Sequence, residues 1–363
     1  MSRVVAIILH AMAESSAGPL ERAFAEDRRH NADRQARGFA ALGATVEIIE
    51  TRRDGPTFGE RLRGLARDHG LGRTQGGEGL VVLGSGSIPL ARRADRAIFV
   101  AAAGSVRSKT TGDPLTLLTN NRYSADILAM PSGVDLEGLP DLAADNGVPR
   151  WAAEHGIEVR DLRDRWRLQV DLDSPLDVVL AASAAAGLGT ADDRPGSPLG
   201  SVLERARTVA ADPAAEFLIA GRTSSTTLRW VERNTASRTR ALIEERGMKT
   251  ALPGQRPSQS ALGRLLDVDG PSALGGIVEK LADAAMVDTR VLMAHRFGRA
   301  EAAWPGTEDR FASDLLLPDQ IRDPWLRALT ASAADSRVPI LFGGHTLVGP
   351  GLRLVLRPRR PRP

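Results

Sequence analysis

Alternation is the feature that most constrains this fold. Short apolar, β-branched runs recur along the first half of the chain, and stretches with helical spacing separate them. Val4–Leu9 is such a run, and it reads as a strand buried on both faces. Pro19 opens a helical stretch to about Leu42, which Gly43 stops. Thr45–Glu50 reads as the next strand, and Phe58–His69 as a helix with Leu62, Leu65 and Ala66 on one face. Further strands are expected at Gly79–Leu83, Ala97–Ala103, Ala125–Met130 and Arg167–Val170, and helices at Asp141–His155 and Pro175–Ala185. Strands alternating with helices predict an α/β protein with a three-layer, mostly parallel sheet.

With 363 residues there is room for about two domains. Gly187–Gly200 is rich in Gly, Pro and Asp and reads as a linker. The expected organisation is a first domain over 1–186, a linker over 187–200, a second, smaller α/β domain over 201–356 and a flexible tail over 357–363. The second domain should hold helices near Ser201–Ala210, Ser225–Arg246, Ser258–Leu266 and Ser272–Ala285. Its strands are expected at Glu216–Ala220, Met286–Ala294, Val338–Phe342 and Leu352–Leu356.

Composition excludes several classes of function. There is no cysteine, so disulfides, thiolate nucleophiles and zinc–thiolate sites are excluded. The six histidines show no metal-ligand spacing. The net charge is +3, but Arg353, Arg357, Arg359, Arg360 and Arg362 crowd the end of the chain. The remainder is close to neutral, so no nucleic-acid partner is expected. No apolar run approaches the ~20 residues of a membrane span, and Val4–Leu9 is too short for a signal peptide. A cytoplasmic protein without a membrane partner is expected. Lys109, Lys249 and Lys280 are the only lysines, so a phosphate clamp must rely on arginine or backbone N–H groups.

The richest segment is Trp166-Arg167-Leu168-Gln169-Val170-Asp171-Leu172-Asp173-Ser174-Pro175-Leu176-Asp177. It reads as a strand that ends in alternating carboxylates and runs into a helix with Ser174 as N-cap. Residues two apart on a strand share a side, so Asp171 and Asp173 could hold a hard cation such as Mg²⁺. The plainer reading makes Asp173 a loop carboxylate and gives Asp177 to the helix dipole. Gly84-Ser85-Gly86-Ser87 follows a buried strand, as either an anion contact through backbone N–H groups or a simple turn. In Thr119-Asn120-Asn121-Arg122-Tyr123-Ser124-Ala125-Asp126, Asn120 and Asn121 could read a base or ribose and Arg122 could pair with a phosphate. Asp126 could join the metal set. A surface turn is the alternative.

The run Val-Asp-Leu-Asp-Ser-Pro-Leu-Asp resembles the "D-[IL]-D-T-P-x-D" segment that ends the catalytic domain of several nucleotidyltransferases of the nucleotide-diphospho-sugar-transferase (GT-A-like) superfamily. Molybdenum cofactor guanylyltransferases and phospholactate guanylyltransferases are examples. Phe58–Leu62 and Gly79–Leu90 are similar to segments of related small glycosyltransferase-like proteins. The resemblance covers about residues 1–185. It implies a GT-A-like sheet, Mg²⁺ at Asp171, Asp173 and Asp126, catalytic roles for Asp171 and Asp173, and nucleotide contacts at Gly84, Ser85, Gly86, Ser87, Asn120, Asn121 and Arg122. The implied function is nucleotidyl or glycosyl transfer to a small phosphorylated metabolite. The chain departs from the pattern at two places. The loop His10–Pro19 has one glycine and no lysine where the family carries a Gly-rich phosphate loop, and Gly84–Ser87 has no carboxylate. A degenerate, non-catalytic nucleotide- or anion-binding protein of the same fold is therefore the second reading.

Three features of the second half stand apart from that resemblance. Gly221-Arg222-Thr223-Ser224-Ser225-Thr226-Thr227 suits either an anion or plain N-capping. Gly343–Gly351, with His345, reads as a hairpin or a ligand loop. Asp288, Arg290, Asp309, Arg310 and Asp314 read as surface or salt-bridge groups.

Overall fold

The computed structural model describes residues 2–52, 54–72, 77–105, 115–184, 198–248 and 256–356. The chain divides into two compact units, Met1–Ser16 with Ala25–Asp171, and Ala17–Phe24 with Leu172–Pro363. The division at Asp171 lies upstream of the linker expected over 187–200. Of that stretch, residues 187–197 fall outside the described residues, and Pro198–Gly200 open a helix. The expected tail over 357–363 also lies outside them.

The first unit is an α/β layer structure, as the alternation predicts. Its elements are β1 (Val4–Ala11), α1 (Pro19–Ala40, whose start as far as Phe24 belongs to the second unit), β2 (Thr45–Thr51), α2 (Phe58–Asp68), β3 (Gly79–Gly84), α3 (Arg93–Ala103), β4 (Thr116–Thr119), β5 (Ile127–Met130), α4 (Val148–Glu154) and β6 (Glu158–Asp161). The sheet order is β2-β1-β3-β5-β4-β6. Only β5 runs antiparallel to its neighbours. Successive side chains of a strand point to opposite faces. Val4, Ala6 and Ile8 accordingly pack with Phe39 of α1 and Phe99 of α3, while Val5 and Ile7 pack with Leu62 and Leu65 of α2 and Trp151 of α4.

The second unit holds α5 (Pro175–Ala182), α6 (Pro198–Ala210), β7 (Glu216–Gly221), α7 (Ser225–Asn234), β8 (Arg238–Ile243), α8 (Ala261–Asp269), α9 (Leu274–Leu281), β9 (Ala284–Asp288), α10 (Thr289–Phe297), α11 (Thr307–Asp314), α12 (Pro324–Ala334), β10 (Ile340–Gly343), α13 (His345–Val348) and α14 (Leu352–Val355). Its four-stranded sheet, ordered β10-β9-β7-β8, is wholly parallel. One face packs Leu218, Ala220, Val287 and Phe342 against α8, α9, α11 and α12. Among the described residues no helix is long and apolar enough to cross a membrane.

Several expected elements are corrected. Ala97–Ala103 is the second half of α3, not a strand. Phe99 and Ala103 are a helical four apart and both buried, and the Asp95 carboxylate accepts the Arg92 N–H at the helix start. Trp166–Gln169 is a 3₁₀ turn rather than a strand. The long helix expected over Ser225–Arg246 stops at Asn234, and β8 takes much of its second half as a largely exposed edge strand. Most of the strand expected over Met286–Ala294 is α10, and Leu352–Leu356 carries α14 rather than a strand.

Candidate functional site

In the first sheet the chain leaves β1 towards β2 on one side and returns to β3 on the other. The carboxyl ends of β1 and β3 therefore flank a topological switch point, the position where open α/β sheets take ligands. His10 lies near the end of β1 and Gly84–Ser87 follow β3.

The loop after β3 is small and held rigidly. Gly79–Gly84 is a buried strand, and the turn behind it leaves Ser85 and Ser87 at 0% and 3% exposure. The Ser85 N–H donates to Leu9 O (2.8 Å) and the Ser87 N–H to Gly84 O (3.0 Å). Asn31 Nδ2 of α1 donates to the carbonyls of Ser85 (2.8 Å) and Ser87 (3.1 Å). Gln35 Nε2 donates to Ile88 O (2.9 Å), and Arg96 Nε of α3 donates to Gln35 Oε1 (2.8 Å). Ile88 is fully buried at φ +44°, a left-handed conformation that costs a β-branched residue about 1–3 kcal/mol. The polar clamp from α1 holds the loop against this strain. With the N–H groups of Gly84, Ser85 and Ser87 all donating within the protein, the loop is less open to an anion than its glycines alone suggest.

His10 Nδ1 lies 3.2 Å from Ser85 Oγ. Burial, then the positive charges of Arg28 and Arg29, hold its imidazole below the ordinary histidine range. His10 is therefore neutral at neutral pH, beside the middle of α1, where Arg28 and Arg29 outweigh the smaller opposing effects of Glu50 and Asp33.

Three of the expected segments converge here. Ser87 and Asp171 form an isolated antiparallel bridge. The Gly84 N–H donates to Asp126 O (3.4 Å). Asn120 is fully buried, and its Nδ2 donates to Asp126 Oδ2 (2.6 Å) and Leu168 O (2.9 Å) while its Oδ1 accepts the Asp126 N–H (3.0 Å). The 3₁₀ turn is tied to the same place by Gln169 Nε2, which donates to Asn120 O (3.1 Å). Asn120 thus works as a structural clasp whose amide is fully engaged.

The remaining expected residues stand elsewhere. Asn121 Oδ1 accepts the Tyr123 N–H in a local turn. Arg122 is exposed, and its Nε donates to Asp161 Oδ2 (2.9 Å). Asp173 is exposed and belongs to the second unit, whereas Asp171 closes the first. The expectation that both carboxylates share one side of a strand fails, because no strand precedes them. Among the described residues no three His, Asp or Glu side chains gather as a metal site. The residues proposed for Mg²⁺ therefore do not fit a cage built by the protein, and no step is derived through that ion.

Sequence reasoning missed Asn31 and Gln35. Their signal was present: two amides a helical four apart on a face otherwise lined by Ala32 and Phe39. Asp288, Arg290 and Asp314, expected as surface or salt-bridge groups, are the latter. They are ion-paired, with Asp288 at 1% and Asp314 at 0% exposure.

No family model matches this chain, and no curated protein matches it in sequence.

Proposed function

We propose that the first unit is a nucleotidyltransferase-like domain that binds a nucleotide, or a similar small anionic metabolite, without turning it over. The observation that carries this reading is the Ser87–Asp171 bridge at the sheet's switch point, which joins the small-residue loop to the segment bearing the family-like carboxylates. Arg28 supplies positive potential at the end of β1, where phosphates would approach, while Arg29 is shared between Asp33 and Glu50. The neutral His10 adds no counter-charge. The buried clamp of Asn31, Gln35 and Arg96 keeps the loop preorganised, which lowers the ordering cost of binding.

A second reading, nucleotidyl transfer, is favoured by one observation. The backbones of Asp126 and Asp171 both meet the same loop, which sets two carboxylate-bearing residues beside it. In a transferase these groups would act through charge and positioning.

Calorimetric binding of a nucleoside triphosphate, with and without Mg²⁺, separates the readings. Binding alone predicts an affinity that Mg²⁺ leaves unchanged. Asp171→Asn should then bind equally or more tightly, since it removes a negative charge near the phosphates. Transfer predicts metal-dependent affinity, pyrophosphate release and weaker binding by Asp171→Asn. The absence of any nucleotide binding would overturn both.

A further inference from the structure

The second sheet has a switch point of its own. From β7 the chain passes to β8 on one side, and after α8 and α9 it returns to β9 on the other. The crevice outside the carboxyl ends of β7 and β9 is thus a second ligand position by topology. Three strand ends meet there: Gly221-Arg222-Thr223, Asp288-Thr289-Arg290 and Gly343-Gly344-His345.

Their contacts are close. Gly221 sits at φ +132°, and a Cβ there would stand 2.3 Å from Asp288 Cβ. Arg222 Nε and Nη2 donate to Asp288 Oδ2 (2.6 Å) and Oδ1 (3.1 Å). Arg290 grips Asp314 of α11 with both terminal nitrogens, Nη2 at 2.7 Å from Oδ2. Thr289 Oγ1 donates to Gly343 O (3.3 Å). A Cβ at Gly343 would lie 3.1 Å from Leu176 Cδ2, so the first turn of α5 reaches the same place.

That turn carries Asp177, which is 1% exposed. Its Oδ2 accepts the Asp173 N–H (3.1 Å) and the Ser174 hydroxyl (3.0 Å). Its Oδ1 is buried and has no hydrogen-bond partner. Leaving such an oxygen unpaired costs about 1–3 kcal/mol.

We propose that Asp177 Oδ1 anchors the ammonium group of a small amine-bearing ligand in this crevice. This inference is independent of the reading given for the first unit. Both hydrogen bonding and charge lead to it. Asp173 and Asp314 crowd Asp177 with negative charge, and Arg290 is already engaged by Asp314. Burial first, then Asp173 and Asp314, push the Asp177 carboxyl well above the usual carboxylate range, while Ser174 and Arg290 pull the other way. Of the other packed elements, α11 also brings Arg310, which is paired with Glu301. The arginine of α14, Arg353, lies over Trp230. An ammonium supplies both the missing donor and the missing positive charge, whereas a neutral hydroxyl supplies only a donor.

His345 suits the same ligand. Its Nδ1 lies 3.1 Å from Arg222 O, an atom that only accepts, so Nδ1 carries the proton and Nε2 is an acceptor. The ring keeps solvent-accessible surface but sits in dense surroundings. That burial, followed by the Arg222 charge, holds it below the ordinary histidine range. It therefore stays neutral and does not repel a cation.

The test uses the full chain, with ethanolamine hydrochloride as probe and ethylene glycol and sodium chloride as controls at matched concentration. The melting temperature should rise with ethanolamine and with neither control. Asp177→Asn should weaken amine binding at least about tenfold, the loss expected for one charge-assisted hydrogen bond. Should that variant fail to fold, calorimetry on the natural chain in buffers of different ionisation heat remains decisive. Amine binding should expel the Asp177 proton, less so as the pH rises. An equal rise with either control, no rise at all, an undiminished response in Asp177→Asn, or binding without proton release each overturns the proposal.

Discussion

Ile88 shows how one residue can be unreadable in a sequence yet decisive in a fold. Its buried side chain favours a large residue, while its φ of +44° favours glycine. Truncation should therefore give an inverted order. Ile88→Ala loses the packing and keeps the strain, whereas Ile88→Gly loses the packing and releases it. Denaturant unfolding should find the glycine variant more stable than the alanine variant by about 1 kcal/mol, the reverse of the usual preference. The Arg222–Asp288 pair is a second case. Arg222→Met strands a buried carboxylate and should cost about 3–5 kcal/mol, most of it recovered when Asp288 is also made apolar. At this scale the sequence was legible where small or acidic residues punctuate strand ends, as at Gly84–Ser87 and Asp171. It was illegible where meaning depends on a distant partner. Asn120 reads as a ligand contact and serves as a clasp, and Asp177 reads as dipole support and carries an unpaired oxygen.

At the scale of the element, α2 and α1 begin in opposite ways. Thr57 and Glu60 close a capping box on α2 within three residues. The start of α1 is instead served by Glu308, whose two oxygens accept the Leu20 and Glu21 N–H groups at 3.0 Å each. Glu308→Ala should destabilise the protein by about 1–2 kcal/mol and raise amide exchange in the first turn of α1. Elements buried on both faces were legible because their apolar runs are short and uninterrupted, as in β1 and β3. The segment Ala97–Ala103 was misread because Ile98 and Val100 look like strand residues, while its alanines and the Asp95 cap decide for helix. β4 and β6 went unseen, since four residues are too few to show a period.

For the whole molecule, acid and base act through different groups. The imidazoles of His10 and His345 are held below the histidine range in the folded state. Their contribution is complete above about pH 6.5, the unfolded value, and is lost as the pH falls through the folded values. Burial opposes ionisation of Asp288, but Arg222 and Arg290 outweigh it and hold the carboxyl low, so its contribution is lost further into acid. Asp177 has the opposite sign. Its raised folded value means that stability is lost as the pH rises through it. Denaturation midpoints across pH should therefore move in favour of Asp177→Asn as the pH increases, and a pH-independent difference would contradict that assignment. The cap on α1 has a further consequence, in time rather than energy. Glu308 lies 288 residues beyond Leu20. At a synthesis rate of about 5–20 residues per second, roughly 15–60 s separate the two on the ribosome. Throughout that interval the first turn of α1 lacks the Glu308 carboxylate that accepts its N–H groups, and that turn can become fully ordered only after residue 308 has been made.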